Sequence, residues 1–199
     1  MKHLYNKEYY RTGNYKNYLS KKKRYEKTAQ DLIELLAKLK CLNKNMKILD
    51  YGCATGFLLD GFYNLGFKNT NGYDISDWAR SQISRNHNII NLNKETEYDV
   101  ITMLDVLEHM EDEDINNLFT KVKSRLIFVR IPVSTDGGKS FHLDVSRADP
   151  THINCKEKTE WISMLDNLGY QTVFELDLKS IYSTDGVFCA ILLNKGEKK

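Results

Sequence analysis

The chain has 199 residues, 41% of them hydrophobic and 28% charged, with a formal net charge of +2. That is enough for one globular domain with a full core and a helical extension, and the near balance of charge excludes a general pull toward nucleic acid or an anionic membrane. No apolar run reaches the roughly 18 residues a bilayer span needs, and the Lys- and Tyr-rich start does not read as a signal peptide.

Residues 1–19 carry Tyr5, Tyr9, Tyr10, Tyr15 and Tyr18 around Gly13 without a clean apolar period. They read as a short helix or ordered arm packed on the domain, whose aromatic rings can cover a pocket. The basic run Lys21, Lys22, Lys23 and Arg24 reads as a solvated helix face. Leu32, Leu35, Leu36 and Leu39 recur at helical spacing, which predicts a helix over 22–40. Residues 46–51 are a short apolar strand entering a turn of small residues, and 57–65 place Phe57, Leu58, Phe62 and Leu65 on a helix that stops at Gly66.

A second strand over 69–73 leads to Asp74, and Ser76 caps a crossover helix over 76–85. Further strands are predicted over 88–92, 98–104 and 125–133, with a helix over 112–121 between the last two. Residues 133–154 form a long loop rich in His, Asp, Ser and Arg, the kind of segment that carries function at a strand's carboxyl end. Trp161, Met164, Leu165 and Leu168 define a helix over 156–168, and strands over 170–178 and 187–193 follow with no helix between them. Alternation of this kind makes a doubly wound, Rossmann-like α/β sheet of seven strands with the last antiparallel. Residues 1–45 then form an N-terminal arm and helix, and 46–199 the α/β domain.

The turn after the first strand reads Asp50-x-Gly52-x-Ala54-x-Gly56. Its small residues let backbone lie against a bound molecule, and the helix behind it offers free N–H groups to a negative group. The dinucleotide pattern G-x-G-x-x-G and the Gly-Lys-Ser/Thr phosphate loop are both missing. Asp74 follows at the distance where a carboxylate can accept hydrogen bonds from both ribose hydroxyls. This combination resembles the first motifs of the class I S-adenosylmethionine-dependent methyltransferases, the broad small-molecule and glycan branch similar to ubiquinone-biosynthesis O-methyltransferases. The resemblance covers about residues 46–194 and implies S-adenosylmethionine as cofactor and S-adenosylhomocysteine as product. On it, the cofactor-binding set is Asp50, Gly52, Ala54, Gly56, Asp74, Ile75, Asn91, Leu104 and Asp105, with Tyr10 reaching in from the arm.

After the fourth strand, L-D-V-L-E-H-M is the third anchor of the resemblance, which turns His109 toward the reacting centre. His142 and His152 bracket the long loop in F-H-L-D-V-S-R-A-D-P-T-H-I-N, and a neutral imidazole can take the proton of a hydroxyl or ammonium nucleophile. His109, His142 and His152 are therefore the candidate catalytic residues, against the plainer reading of structural histidines. Arg130 and Arg147 are candidates to hold an acidic substrate group, with surface pairing the plainer expectation.

Some relatives hold a divalent metal with E-x-x-E-H. Here the acids are Asp105 and Glu108 beside His109, and loop anchoring by hydrogen bonds is preferred, so no metal is assigned. Cys41, Cys53, Cys155 and Cys189 lack zinc-ligand spacing and are expected to be reduced thiols of a cytoplasmic protein, Cys53 serving only as a small buried residue of the loop.

The expected function is methyl transfer to an oxygen of a small molecule or sugar by a monomer or homodimer. The alternatives are N-methylation of a small amine, RNA-end methylation through a metal at the Asp105/Glu108/His109 cluster, and a non-catalytic S-adenosylmethionine-binding partner module. No [DNS]-P-P-[YF] motif stands after the fourth strand, so methylation of exocyclic base nitrogens is disfavoured.

Overall fold

A computed structural model gives the fold and describes residues 2–12, 15–92, 95–178, 180–181 and 186–196; Gly13 of the arm lies outside them. The strands β1 (Ile48–Tyr51), β2 (Thr70–Tyr73), β3 (Asn88–Ile89), β4 (Thr96–Leu104), β5 (Val122–Pro132), β6 (Tyr170–Glu175) and β7 (Val187–Asn194) form a sheet ordered β3-β2-β1-β4-β5-β7-β6. Strand β7 runs antiparallel to both of its neighbours, and the β1–β2, β2–β3 and β4–β5 pairs are parallel. This is the Rossmann-like seven-stranded sheet that the alternation of elements predicts.

The chain folds as two compact units, Met1–Asn91 with Leu178–Ser183 and Leu92–Asp177 with Thr184–Lys199. In the first, α1 (Lys22–Lys38) turns Thr28, Ala29, Leu32, Ile33 and Leu36 inward and packs on α2 (Phe57–Asn64). The approach is close because Gly61 has no side chain: a Cβ there would meet the Ala29 Cβ at 2.6 Å and the Glu26 Cα at 3.1 Å. A polar chain also crosses this unit. Lys22 donates to Asp60 at 2.7 Å, the Nε2 of buried His87 pairs with Asp60 at 3.0 Å, and its Nδ1 pairs with Thr70 at 2.7 Å.

The expected helix over 76–85 is shorter: α3 spans Asp77–Ser81, with the Ser76 hydroxyl accepting the Ala79 N–H as its cap. Beyond it Ile83 turns toward Gly56 and His87 is drawn in by Thr70 and Asp60, contacts that outweigh local helix propensity. The expected strand over 88–92 shortens to Asn88–Ile89.

In the second unit β4, β5 and β7 supply a continuous apolar core, with α4 (Asp112–Lys121) packed on β5 and α6 (Lys158–Asn167) on β6. The long 133–154 segment is more ordered than a plain loop. It contains α5 (Asp144–Arg147), and Ser134 bridges to Phe141 and Glu157. No helix among the described residues is long and apolar enough to cross a membrane.

Candidate functional site

Within the first unit, β1 is buried along its length and delivers the chain into the turn at residues 52–56. The turn is fastened to β2, since the N–H groups of Gly52 and Cys53 both donate to the Tyr73 carbonyl, at 2.7 and 2.9 Å. Three residues of the turn take positive φ: Gly52 at 83°, Ala54 at 46° and Gly56 at 82°. Glycine adopts this region freely, while the methyl of Ala54 makes it costly there. What holds Ala54 is Asp74, whose Oδ2 accepts the Ala54 N–H at 2.8 Å while its Oδ1 accepts that of Ser76 at 2.7 Å.

The Asp74 carboxylate thus joins the turn after β1 to the cap of α3. Each oxygen retains a second lone pair, so the hydroxyl-accepting capacity expected of it survives. Burial raises its pKa, opposed by the two amides and by Arg80. Asp50 is buried at the end of β1, Ile75 is exposed, and Asn91 is exposed just after β3. Cys53 is buried as expected, and all four cysteines are free thiols.

The tyrosine arm packs against this turn. Tyr10 and Tyr18 are buried with Ala79, and Tyr9, Tyr15, Tyr25, Ala54, Phe57 and Trp78 pack around them. Tyr18 stacks on Phe57 at 5.4 Å, and Tyr10 lies 5.2 Å from Trp78. Burial, with Asp74 nearby, pushes the Tyr10 hydroxyl far up the pH scale, while a hydrogen bond with the Ser76 side chain opposes the shift. Tyr10 is therefore a neutral phenol built into the wall of the turn.

Within the second unit, β4 ends at Leu104, and Asp105 follows with φ of 57°. Its carboxylate is ion-paired with Arg130 of β5, whose side chain is fully buried. The expectation of surface pairing for Arg130 is corrected here: the guanidinium is interior, and its partner is an acid expected to line the cofactor. Arg147 does pair near the surface, with Asp144, and also donates to the carbonyls of Phe141 and His142.

The short 3-10 turn Leu107–His109 then presents Glu108 and His109. The Glu108 side chain is completely buried, and its main-chain carbonyl accepts the N–H groups of Ile153 and Asn154 at 3.0 and 2.9 Å. That contact brings His152 to His109, with ring centroids 4.5 Å apart. The Nδ1 of His109 lies 3.1 Å from the Thr151 carbonyl and 3.0 Å from its hydroxyl. Donation to that carbonyl requires the proton on Nδ1 and leaves the lone pair on Nε2.

Burial, with His152 adding to it, pushes His109 down to about 4, and burial lowers His152 as well, so both rings are neutral at pH 7. Burial also drives the Glu108 carboxyl far up, with Asp105 adding to the effect. His142 stands apart: it is exposed, and its Nδ1 pairs with the Thr135 hydroxyl at 3.1 Å. Of the three candidate histidines, the fold unites His109 and His152. The participation of Thr151 and the burial of Arg130 carry no local signal in the sequence.

A sequence model described as a methyltransferase domain matches residues 21–175. No curated protein matches the chain. Among solved structures, magnesium protoporphyrin IX methyltransferase from Synechocystis PCC 6803 with bound SAM is similar at TM-score 0.60 and 15% identity, over 86% of this chain and 80% of that one. A SAM-dependent methyltransferase from Archaeoglobus fulgidus is similar at TM-score 0.59 and 17% identity, over 83% of this chain and 94% of its own. A structure described as the complex between the Haloferax volcanii Trm112 methyltransferase activator and "the putative methyltransferase" holds a chain that is similar at TM-score 0.59 and 9% identity, over 87% of this chain and 94% of that one. At such identities the likeness is one of fold.

Proposed function

The chain belongs to the methyltransferase-domain family, and from that premise we propose that it transfers the methyl group of S-adenosylmethionine to an oxygen of a small molecule or sugar. The observation that supports this most is the fastening of the turn at 52–56 by Asp74 through the Ala54 N–H, which preorganises a flat backbone face beside an acid able to take ribose hydroxyls. Gly52, Ala54 and Gly56 would lie against the donor, and Asp50, Asp74, Ile75, Asn91 and Tyr10 would complete its contacts in the first unit. Leu104 and Asp105 remain candidates from the second unit, and the ion pair with Arg130 would fix the orientation of Asp105. Residues 1–45 serve as arm and covering helix, and the protein acts as a monomer or homodimer.

A sulfonium methyl is already a reactive electrophile, so most of the acceleration comes from holding the acceptor oxygen in line with the S–methyl bond. His109, His142 and His152 are the groups proposed to receive the acceptor's proton. Burial holds His109 at about 4, so its ring is neutral at pH 7 and keeps a lone pair for that proton.

Calorimetry tests the donor site. Gly52→Arg, which forces a large side chain into positive φ, and Asp74→Ala should each abolish or greatly weaken S-adenosylmethionine binding, and unchanged affinity in both would refute the assignment. Formation of S-adenosylhomocysteine across quinones, phenols, sugars and amines then separates O-methylation from N-methylation. Tight donor binding without turnover on any of them would favour a partner module instead.

A further inference from the structure

We propose that Asp149 and Thr151 are positioning residues that hold the His109 ring in the one tautomer leaving Nε2 bare to receive the acceptor's proton, an inference that rests on the reading of His109 as a proton acceptor. Both belong to the stretch Asp149-Pro150-Thr151-His152, which stands out in the sequence and of which the donor site uses nothing. The stretch folds as a tight turn. The Asp149 carbonyl accepts the His152 N–H at 3.2 Å, with Pro150 at the second position, where its fixed φ suits a turn.

The Asp149 carboxylate reaches forward inside the same turn, and its Oδ1 accepts both the N–H and the hydroxyl of Thr151, at 2.9 and 2.6 Å. Asp149 and Thr151 are buried. Just beyond them the Glu108 carbonyl accepts the N–H groups of Ile153 and Asn154, which fixes the turn against the Leu107–His109 turn that carries the imidazole. His109 itself keeps part of its surface exposed, and the His152 ring stands edge-on to it at 4.5 Å.

A hydroxyl has one proton to give, and that of Thr151 goes to Asp149. Toward His109 its oxygen can then act only as an acceptor, 3.0 Å from Nδ1, and the Thr151 carbonyl is a second acceptor 3.1 Å from the same atom. Two acceptors facing one ring nitrogen require that nitrogen to carry the hydrogen, so neutral His109 is protonated on Nδ1 and bare on Nε2. Without the carboxylate the hydroxyl could turn and donate to Nδ1, which favours the opposite tautomer, with no lone pair on Nε2. In the transfer step the acceptor oxygen bonds to the methyl carbon as the S–methyl bond pair returns to sulfur, and the hydroxyl proton moves to Nε2. The imidazolium so formed keeps its Nδ1–H on Thr151, with the Asp149 carboxylate behind it.

The tautomer is read on the full chain without donor or acceptor, by nitrogen NMR of protein isotopically labelled at histidine, with the His109 signals identified by their loss in His109→Gln. Natural protein at neutral pH should show His109 protonated on Nδ1. Asp149→Ala should move the ring toward the tautomer protonated on Nε2, and Asp149→Asn, which keeps an oxygen acceptor in place, should restore it. On whichever quinone, phenol, sugar or amine yields S-adenosylhomocysteine, Asp149→Ala should lower kcat at least about tenfold with the KM for the donor unchanged, and Asp149→Asn should recover most of that loss. If Asp149→Ala fails to fold by circular dichroism, Thr151→Val takes its place and should shift the tautomer in the same direction, since it removes one of the two acceptors. Natural protein protonated on Nε2, a tautomer unmoved in the folded variant, or a shifted tautomer with kcat unchanged would each overturn the positioning role. Donor binding without turnover on any acceptor would instead refute the methyl-transfer reading, and the tautomer ratio alone would then decide whether the turn sets His109.

Discussion

Arg130 places a full positive charge where no water reaches it, and Asp105 meets that charge across the β4–β5 pair. Removing one member of a buried ion pair leaves the other uncompensated. Asp105→Ala should therefore lower stability by about 3–5 kcal/mol in urea unfolding, and adding Arg130→Met should restore much of the loss. Glu108 gives a second prediction at this scale. Burial raises its pKa, so above its ordinary value of 4.5 the native protein keeps a proton that the unfolded chain has released, and stability falls as pH rises. His109 acts in the opposite sense: with a native pKa of about 4 it withdraws stability as pH falls from 6.5 toward 4. That contribution is shared by Glu108→Gln and cancels in the comparison. The variant's advantage over the natural protein should therefore grow between pH 4 and 8. Urea midpoints across that range measure it, and a flat or shrinking difference would contradict the account.

Among the elements, the α1–α2 contact is one that a single residue controls. Gly61→Ala would set a methyl 2.6 Å from that of Ala29 and 3.1 Å from the Glu26 main chain, so the helices must separate. Overpacking of this kind costs about 1–3 kcal/mol, more than the helix propensity gained from alanine, and thermal melting should show a net loss. The same scale shows why some boundaries were legible and others not. The α4 span of Asp112–Lys121 was expected correctly, because acidic residues in its first turn and Ile115, Leu118 and Phe119 on one face are local features. The α3 end at Ser81 was not, because Ile83 and His87 answer to Gly56, Thr70 and Asp60, which no window around residue 82 contains. Strand β5 begins at Val122, directly after α4, where the alternation of buried Val122 and Ser124 with exposed Lys123 and Arg125 marks it only once the sheet face is known.

At the scale of the whole molecule, a donor that binds only the native chain must stabilise all of it. At S-adenosylmethionine about 100-fold above its Kd, the midpoint of unfolding should rise by an amount equivalent to about 2.7 kcal/mol, and Gly52→Arg should lose that rise. The sequence by itself determined the order of elements, the seven-stranded sheet with its antiparallel β7, the family, and the turn at 52–56 with Asp74, because each of these rests on spacing within a short stretch of chain. Only the tertiary structure decided which charged and polar groups share an interior. It set Arg130 against Asp105, left Glu108 buried, and brought His152 rather than His142 to His109 through Thr151, 42 residues away along the chain. Those pairings depend on where strand ends and a long loop converge in space, and periodicity along a sequence carries no record of that convergence.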